Sequence, residues 1–124
     1  MTRQIDFAGK SGTIYRYTEL DESRPLPPAG ANFVLAEVTD RGVGIVYVGE
    51  TDNLAKGEWR SRLAEARERY KRVEVLTRLN VRSAVRQTEL EDLTEQHRPP
   101  MNPASAGQGA AQPADAESSA GDPE

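Results

Sequence analysis

The sequence predicts a small α/β (α+β) domain in which helices flank a three-stranded, mainly antiparallel sheet. Two runs of β-branched and aromatic residues, 32–38 and 43–48, are separated by a tight turn, which is typical of a hairpin. Residues 54–70 then repeat apolar side chains at helical spacing. The chain has 124 residues and no cysteine, so one domain with an ordinary apolar core is expected.

The N-terminal 30 residues predict an extra strand or arm ahead of this sheet. Residues 12–18, GTIYRYT, mix β-branched and aromatic positions as a short strand does. The following DESRPLPPAG has the composition of turns and polyproline-like chain. We therefore expect 1–30 to form an edge strand and a Pro-rich arm beside a domain at 31–102.

In the central hairpin, Thr39-Asp40-Arg41-Gly42 supplies the turn. If the turn is centred near Asp40 and Arg41, Phe33 lies opposite Tyr47 or a neighbour of Tyr47. Two aromatic rings are then adjacent at the open end of the hairpin.

The first helix is predicted over residues 54–70, with Trp59, Leu63, Ala66 and Tyr70 on its buried stripe. Thr51, Asp52 and Asn53 can cap its N-terminus. Residues 72–77, RVEVLT, then predict the third strand. A second helix is predicted over 81–97, with Asn80 or Ser83 as its cap and Pro99 after its end.

Residues 103–124 predict a disordered acidic tail, because they contain no aromatic or branched aliphatic residue. The tail holds four of the 20 acidic residues and no base, so the net charge of −4 belongs to the tail and residues 1–102 are neutral. Residues 56–86 carry ten bases against four acids. Two interpretations are open: a surface that follows phosphates, or a solvated helix face with pairs such as Glu65–Arg69.

No apolar run approaches the roughly 20 residues of a membrane span, and MTRQIDFAGK is not a signal peptide. These features predict a soluble, cytoplasmic protein with no membrane partner.

The segment Tyr47-Val48-Gly49-Glu50-Thr51-Asp52-Asn53-Leu54, with Pro99-Pro100-Met101-Asn102 some fifty residues later, resembles the GIY-YIG nuclease superfamily over residues 31–102. The resemblance implies metal-dependent phosphodiester hydrolysis with one Mg²⁺ or Mn²⁺, held by a glutamate on the second helix. It also implies tyrosines that manage the attacking water and an arginine that steadies the phosphate. Nucleic acid, DNA in particular, is the implied partner.

Carried onto this chain, the resemblance assigns Tyr47 to water activation, Glu89 to the metal and Arg60 to the phosphate. Counting back from Pro99 reaches Leu90, but Glu89 shares the helical stripe of Val85 and Leu93 and is therefore preferred. The alternative for Glu89 is a structural pair with Arg82 or Arg86. The remaining phosphate-contacting candidates are Phe33, Gly49, Thr51, Asn53, Lys56, Arg62 and Asn102.

The chain departs from the family pattern at three positions. Phe33 replaces the first-strand tyrosine, Gly57 replaces the usual arginine, and Leu90 occupies the glutamate register. Gly12-Thr13-Ile14-Tyr15 looks like a first motif, but lies too far from Tyr47 to be its hairpin partner through one tight turn. Two functions follow as expectations: a nucleic-acid-cleaving domain, or an inactive nucleic-acid-binding or protein-interaction module that keeps the fold. A protein partner or self-association fits a lone domain of this size.

Overall fold

A computed structural model describes residues 3–57 and 59–102, which form one antiparallel five-stranded sheet with two α-helices. The strands are β1 (Gln4–Ala8), β2 (Ile14–Glu19), β3 (Ala31–Thr39), β4 (Gly42–Thr51) and β5 (Val73–Leu79). The helices are α1 (Trp59–Arg69) and α2 (Ser83–His97), and a short 3₁₀ turn spans Leu54–Lys56. The strand order across the sheet is β1-β2-β5-β3-β4.

The prediction of three strands is wrong in number, because the N-terminal region adds a two-stranded hairpin. The predicted hairpin of β3 and β4 and the third strand, β5, are confirmed. β1 was missed because QIDFA is short and half polar, so it carries little strand signal. β2 pairs with β5 at only two positions, Thr18–Thr77 and Glu19–Leu76. The rest of the hairpin is held by side chains and by a backbone bond from the Lys10 N–H to the Asp92 carbonyl at 3.1 Å.

The two helices cover opposite faces of the sheet. Alternating β3 residues divide between two apolar cores, with Phe33 and Leu35 on the α1 side and Val34 and Ala36 on the α2 side. Trp59, on α1, is 1% exposed and belongs to the first core, as the helical stripe predicts. Both faces of β3 are thus buried, which explains its nearly continuous apolar sequence.

The start of each helix differs from its prediction. Asn53 caps only the 3₁₀ turn, which Gly57 closes at φ 74°, a left-handed conformation that favours glycine. α1 therefore begins at Trp59, five residues later than expected. α2 begins at Ser83, and its N-cap is Arg82, which makes no side-chain capping bond.

Residues 103–124, predicted as a disordered tail, lie outside the described residues. Among 3–57 and 59–102 no helix is long and apolar enough to cross a membrane.

Candidate functional site

A β-bulge directs Tyr47 toward the α1 face of the sheet. Leu35 pairs with Tyr47 and Ala36 pairs with Ile45, so Val46 is the extra residue on β4. Such an insertion changes which side chains share a face, and Val46 and Tyr47 consequently both pack with the α1-side core. Tyr47 is half-buried at this position.

Aromatic and cationic groups surround the Tyr47 ring. Phe33 lies diagonally across the hairpin, with ring centroids 5.9 Å apart, because its direct partner is Gly49. The guanidinium carbon of Arg62 lies 5.5 Å from the centre of the Tyr47 ring, within reach of a cation–π contact. Arg60 instead lies 4.5 Å from the Trp59 ring centre. Arg62, and not the preferred Arg60, is therefore the arginine at Tyr47.

The tyrosine hydroxyl is available for a ligand. Within the described residues it makes no hydrogen bond, whereas the hydroxyls of Tyr15 and Tyr17 both donate to carboxylates. A phenol that is anchored by its ring and open at its oxygen can donate a hydrogen bond to a phosphate.

The turn after Tyr47 is explained by its own packing and hydrogen bonds. A Cβ on Gly49 would lie 2.4 Å from Cζ of Phe33, so this position requires glycine. Thr51 Oγ1 accepts from the Asn53 N–H at 3.2 Å, and Asn53 Oδ1 accepts from the Ala55 N–H at 3.0 Å. Gly49, Thr51 and Asn53 thus serve the local turn.

Asn102 completes the exposed edge of β4. Its Oδ1 accepts from the Val48 N–H and its Nδ2 donates to the Val48 carbonyl, each at 2.8 Å. The Met101 N–H donates to the Val46 carbonyl at 2.9 Å. The amide of Asn102 therefore acts as a neighbouring strand would, and it protects an edge that would otherwise be open.

Glu89 lies on the opposite face of the sheet from Tyr47. It is 2% exposed and accepts a hydrogen bond from the buried Tyr17 hydroxyl at 2.5 Å. Arg78 Nε lies 3.2 Å from its other oxygen, and Asn80 Nδ2 approaches that same oxygen at 3.5 Å. Its pairing partner is thus Arg78, and neither Arg82 nor Arg86 takes that place. The structure does not bring Glu89 to Tyr47 or Arg60.

The surroundings of Glu89 do not fit a Mg²⁺ or Mn²⁺ ion. Hard cations prefer several oxygen ligands, whereas this carboxylate already meets a guanidinium and a phenol. Burial, and then the Glu89 carboxylate, raise the pKa of Tyr17 far above its usual range, so Tyr17 remains a proton donor to Glu89. No group of three or more acidic or histidine side chains that could hold a metal occurs in the described part of the chain.

Sequence reasoning missed Tyr17 and Arg78 as partners of Glu89. Tyr15 and Tyr17 are two residues apart on β2, so both point to one face, and Asp92, another acid on α2, accepts from the Tyr15 hydroxyl at 2.7 Å. The Tyr-Arg-Tyr alternation was the available signal.

Most bases of the 56–86 region are engaged in ion pairs. Seven of the ten lie within 4.0 Å of a carboxylate, in the pairs Lys56–Asp52, Arg62–Glu65, Arg67–Glu22, Arg69–Glu65, Arg72–Glu74, Arg78–Glu89 and Arg86–Glu50. The Glu65–Arg69 pair is the one expected for a solvated helix face. Arg60, Lys71 and Arg82 have no carboxylate partner within the described residues. The basic surplus is thus smaller than the composition indicates.

The chain matches no protein-family model, no curated protein and no solved structure. The resemblance to the GIY-YIG superfamily accordingly rests on the sequence motifs described above.

Proposed function

We propose that this chain is a nucleic-acid-binding module of GIY-YIG type that does not use Glu89 for metal-dependent cleavage. The observation that carries the proposal is the separation of the two groups that cleavage would need together. Tyr47 is on the α1 face with an open hydroxyl, and Glu89 is buried under α2 with both oxygens engaged. A water activated at Tyr47 cannot attack a phosphate that an ion at Glu89 would have to hold, because the sheet lies between the two residues.

The binding surface is the Tyr47 face, which we define as Tyr47, Lys56, Arg60 and Arg62. The Arg62 side chain is 51% exposed, and its partner Glu65 is 38% exposed, so a phosphate can compete for the guanidinium at little cost. Lys56 is held only loosely, 3.9 Å from Asp52. Arg60 has no carboxylate partner in the described chain. A guanidinium beside a phenol suits a phosphate, because both donate hydrogen bonds to its oxygens.

The small number of available cations limits how many phosphates this surface can contact. Two or three available cations correspond to a salt slope of about −2 to −3 for duplex DNA, since each phosphate contact contributes about −0.9. We therefore expect weak binding that is strongest at low salt. Partners or self-association would be needed for higher affinity through combined contacts.

The test is fluorescence anisotropy of labelled duplex DNA, single-stranded DNA and RNA, titrated over a range of salt concentrations. Arg62→Gln should weaken binding and reduce the magnitude of the slope by about 1. Tyr47→Phe should weaken binding with the slope unchanged, because it removes a hydrogen bond and no charge.

Arg41→Gln is the matched control, because Arg41 is an exposed arginine in the turn between β3 and β4. It changes the net charge as Arg62→Gln does. An equal loss of affinity in Arg62→Gln and Arg41→Gln would show a general charge effect. If the wild type does not bind at low salt, nucleic acid is not the partner.

A protein-interaction module is the second candidate, and one observation favours it. Leu79, Val81 and Val85 are 61%, 84% and 44% exposed within seven residues. Clustered exposed apolar side chains mark interaction surfaces more often than isolated ones do. Sedimentation velocity across a concentration series, with Val81→Lys beside the wild type, tests self-association through this surface. A single monomeric species at all concentrations would contradict self-association there.

A further inference from the structure

The Pro-rich arm between β2 and β3 contains two prolines at a spacing of three, Pro25 and Pro28. A proline ring fixes its own φ near about −65°, and the residue before a proline is restricted to extended backbone. Because a third proline, Pro27, lies between them, these two effects constrain every residue of 24–28, RPLPP. Both effects favour polyproline II, a left-handed helix with three residues per turn and no internal hydrogen bonds.

The exposure of residues 24–29 repeats every three residues, as a polyproline II helix requires. Leu26 and Ala29 are half-buried. The four residues around them are exposed, namely Arg24, Pro25, Pro27 and Pro28. The peptide bonds of this segment are trans, and residues 25–28 make no backbone hydrogen bond to any other described residue. The backbone is therefore free to present its side chains to a partner.

One edge of the segment is held against the domain. Leu26 packs against the α1-side core. The Ala29 carbonyl accepts from the Leu54 N–H at 2.9 Å, and at the other end the Arg24 N–H donates to the Asp21 carbonyl at 3.2 Å. Because the segment is fixed at both ends and in the middle, little conformational entropy remains to be lost when a partner binds.

The other two edges face solvent and form one ridge. Three residues per turn place Arg24 in line with Pro27 on one edge, and Pro25 in line with Pro28 on the other. The ridge thus presents two X-Pro pairs, Arg24-Pro25 and Pro27-Pro28, while Leu26 between them faces the domain. Aromatic-lined grooves bind preformed polyproline II ligands with this PxxP spacing.

We propose that residues 24–28 bind a protein whose aromatic-lined groove recognises polyproline II ligands. Each X-Pro pair occupies one aromatic pocket of that groove. The Arg24 side chain is 80% exposed, and its partner Asp21, at 3.2 Å, is 55% exposed, so a carboxylate beside the first pocket can compete for the guanidinium. The segment is separate from the residues that define the Tyr47 face, and the inference does not depend on nucleic-acid binding there.

The experiment is a titration of the ¹⁵N-labelled full chain with an unlabelled SH3 domain, a domain that binds PxxP ligands in an aromatic-lined groove. Prolines have no N–H, so the amides of Arg24, Leu26 and Ala29 report binding. The chain bends at Arg24 and again at Pro28, so the ridge is short and binding is weak. Saturable shifts at the three amides are expected by about 1 mM SH3 domain. An SH3 domain with its groove tryptophan replaced by alanine should produce none.

Single Pro→Ala variants test the assignment of the two edges. Pro25→Ala and Pro28→Ala each remove the proline of one pair and should weaken binding about tenfold. Pro27→Ala loosens the chain in the same way but changes the first position of its pair, so the loss should be at most about threefold. Pro100→Ala changes an exposed proline outside the arm and should leave the affinity unchanged. Amide shifts outside 21–30 that match those of the wild type establish that each variant is folded.

Three results would overturn the proposal. The first is the absence of saturable shifts at Arg24, Leu26 and Ala29 with about 1 mM SH3 domain. The second is equal binding by the SH3 domain that lacks its groove tryptophan, which would place the contact outside the aromatic groove. The third is an equal loss of affinity in Pro27→Ala and Pro25→Ala, which would attribute both losses to a more flexible chain.

Discussion

The buried hydrogen bond between Tyr17 and Glu89 should stabilise the fold by holding the N-terminal hairpin against α2. β2 pairs with β5 at only two positions, and Tyr17 is fully buried, so its hydroxyl has no access to water. The perturbations are Tyr17→Phe, Glu89→Leu and the double variant, measured by urea denaturation.

The expected loss in the free energy of unfolding depends on which polar groups lose their hydrogen-bond partners. Glu89→Leu leaves the Tyr17 hydroxyl buried and unsatisfied, which costs about 1–3 kcal/mol. Arg78 is 41% exposed, so its guanidinium can be hydrated after the change and adds little. Tyr17→Phe removes one donor to a carboxylate that keeps Arg78, and it should also cost about 1–3 kcal/mol. Replacing both polar partners by apolar groups is nearly neutral in comparable cases, so the double variant should lose less than the sum of the single losses.

The diagnostic quantity is the coupling energy of this double-mutant cycle, expected at about 1–3 kcal/mol. The reasoning would be refuted if the free energy of unfolding of each single variant lay within about 0.5 kcal/mol of the wild-type value. Additive losses in the double variant would refute it as well. A carboxylate kept for catalysis would instead be neutral or destabilising to the fold, and its removal would leave stability unchanged or raised.

Three further outcomes are expected. Asn102→Ala should cost about 1–2 kcal/mol and increase amide exchange at Val48, because two hydrogen bonds to the β4 edge are lost; unchanged exchange there would contradict this role. Gly49→Ala should cost about 1–3 kcal/mol through contact with Phe33, and Phe33→Leu in the same chain should recover part of the loss in thermal unfolding. Partial burial raises the pKa of Asp92, but hydrogen bonds from a serine and a tyrosine outweigh it and hold that pKa below its usual value. The contribution of Asp92 to stability is therefore complete above about pH 4 and is lost as the pH falls through the folded pKa. Asp92→Asn should be less stable than the wild type at neutral pH, and the difference should shrink in acid; a constant difference would contradict the argument.

The central hairpin and the second helix were predictable because they carry strong local signals. The position of Glu89 one turn before Leu93 correctly indicated that Glu89 faces inward, although Val85 on the same helical stripe is exposed. The face on which it lies was not predictable, because that depends on how α2 packs against β2, a contact between residues some 70 positions apart. The same pattern that suggests an ion ligand therefore also describes a buried hydrogen-bond acceptor.

The position of Tyr47 depended on a feature that no local pattern encodes. Simple alternation puts Val46 and Tyr47 on opposite faces, and the bulge puts them on one. The arginine was assigned by spacing to Arg60, but Gly57 closes a separate turn and delays the helix, so Arg62 is the side chain that reaches the ring. The ion pairs of the basic region also required the fold, since Glu22, Glu50 and Asp52 come from outside 56–86.

The most direct test of the account is a combined cleavage and binding measurement on labelled DNA and RNA in Mg²⁺ and in Mn²⁺. The wild type, Tyr47→Phe and Glu89→Gln are purified identically, and circular dichroism establishes that each is folded. We expect no cleavage above the common background in any preparation, weakened binding in Tyr47→Phe, and binding in Glu89→Gln equal to that of the wild type. Metal-dependent cleavage by the wild type that is lost in Glu89→Gln would contradict the account, because it would require the buried carboxylate to reach a nucleic acid.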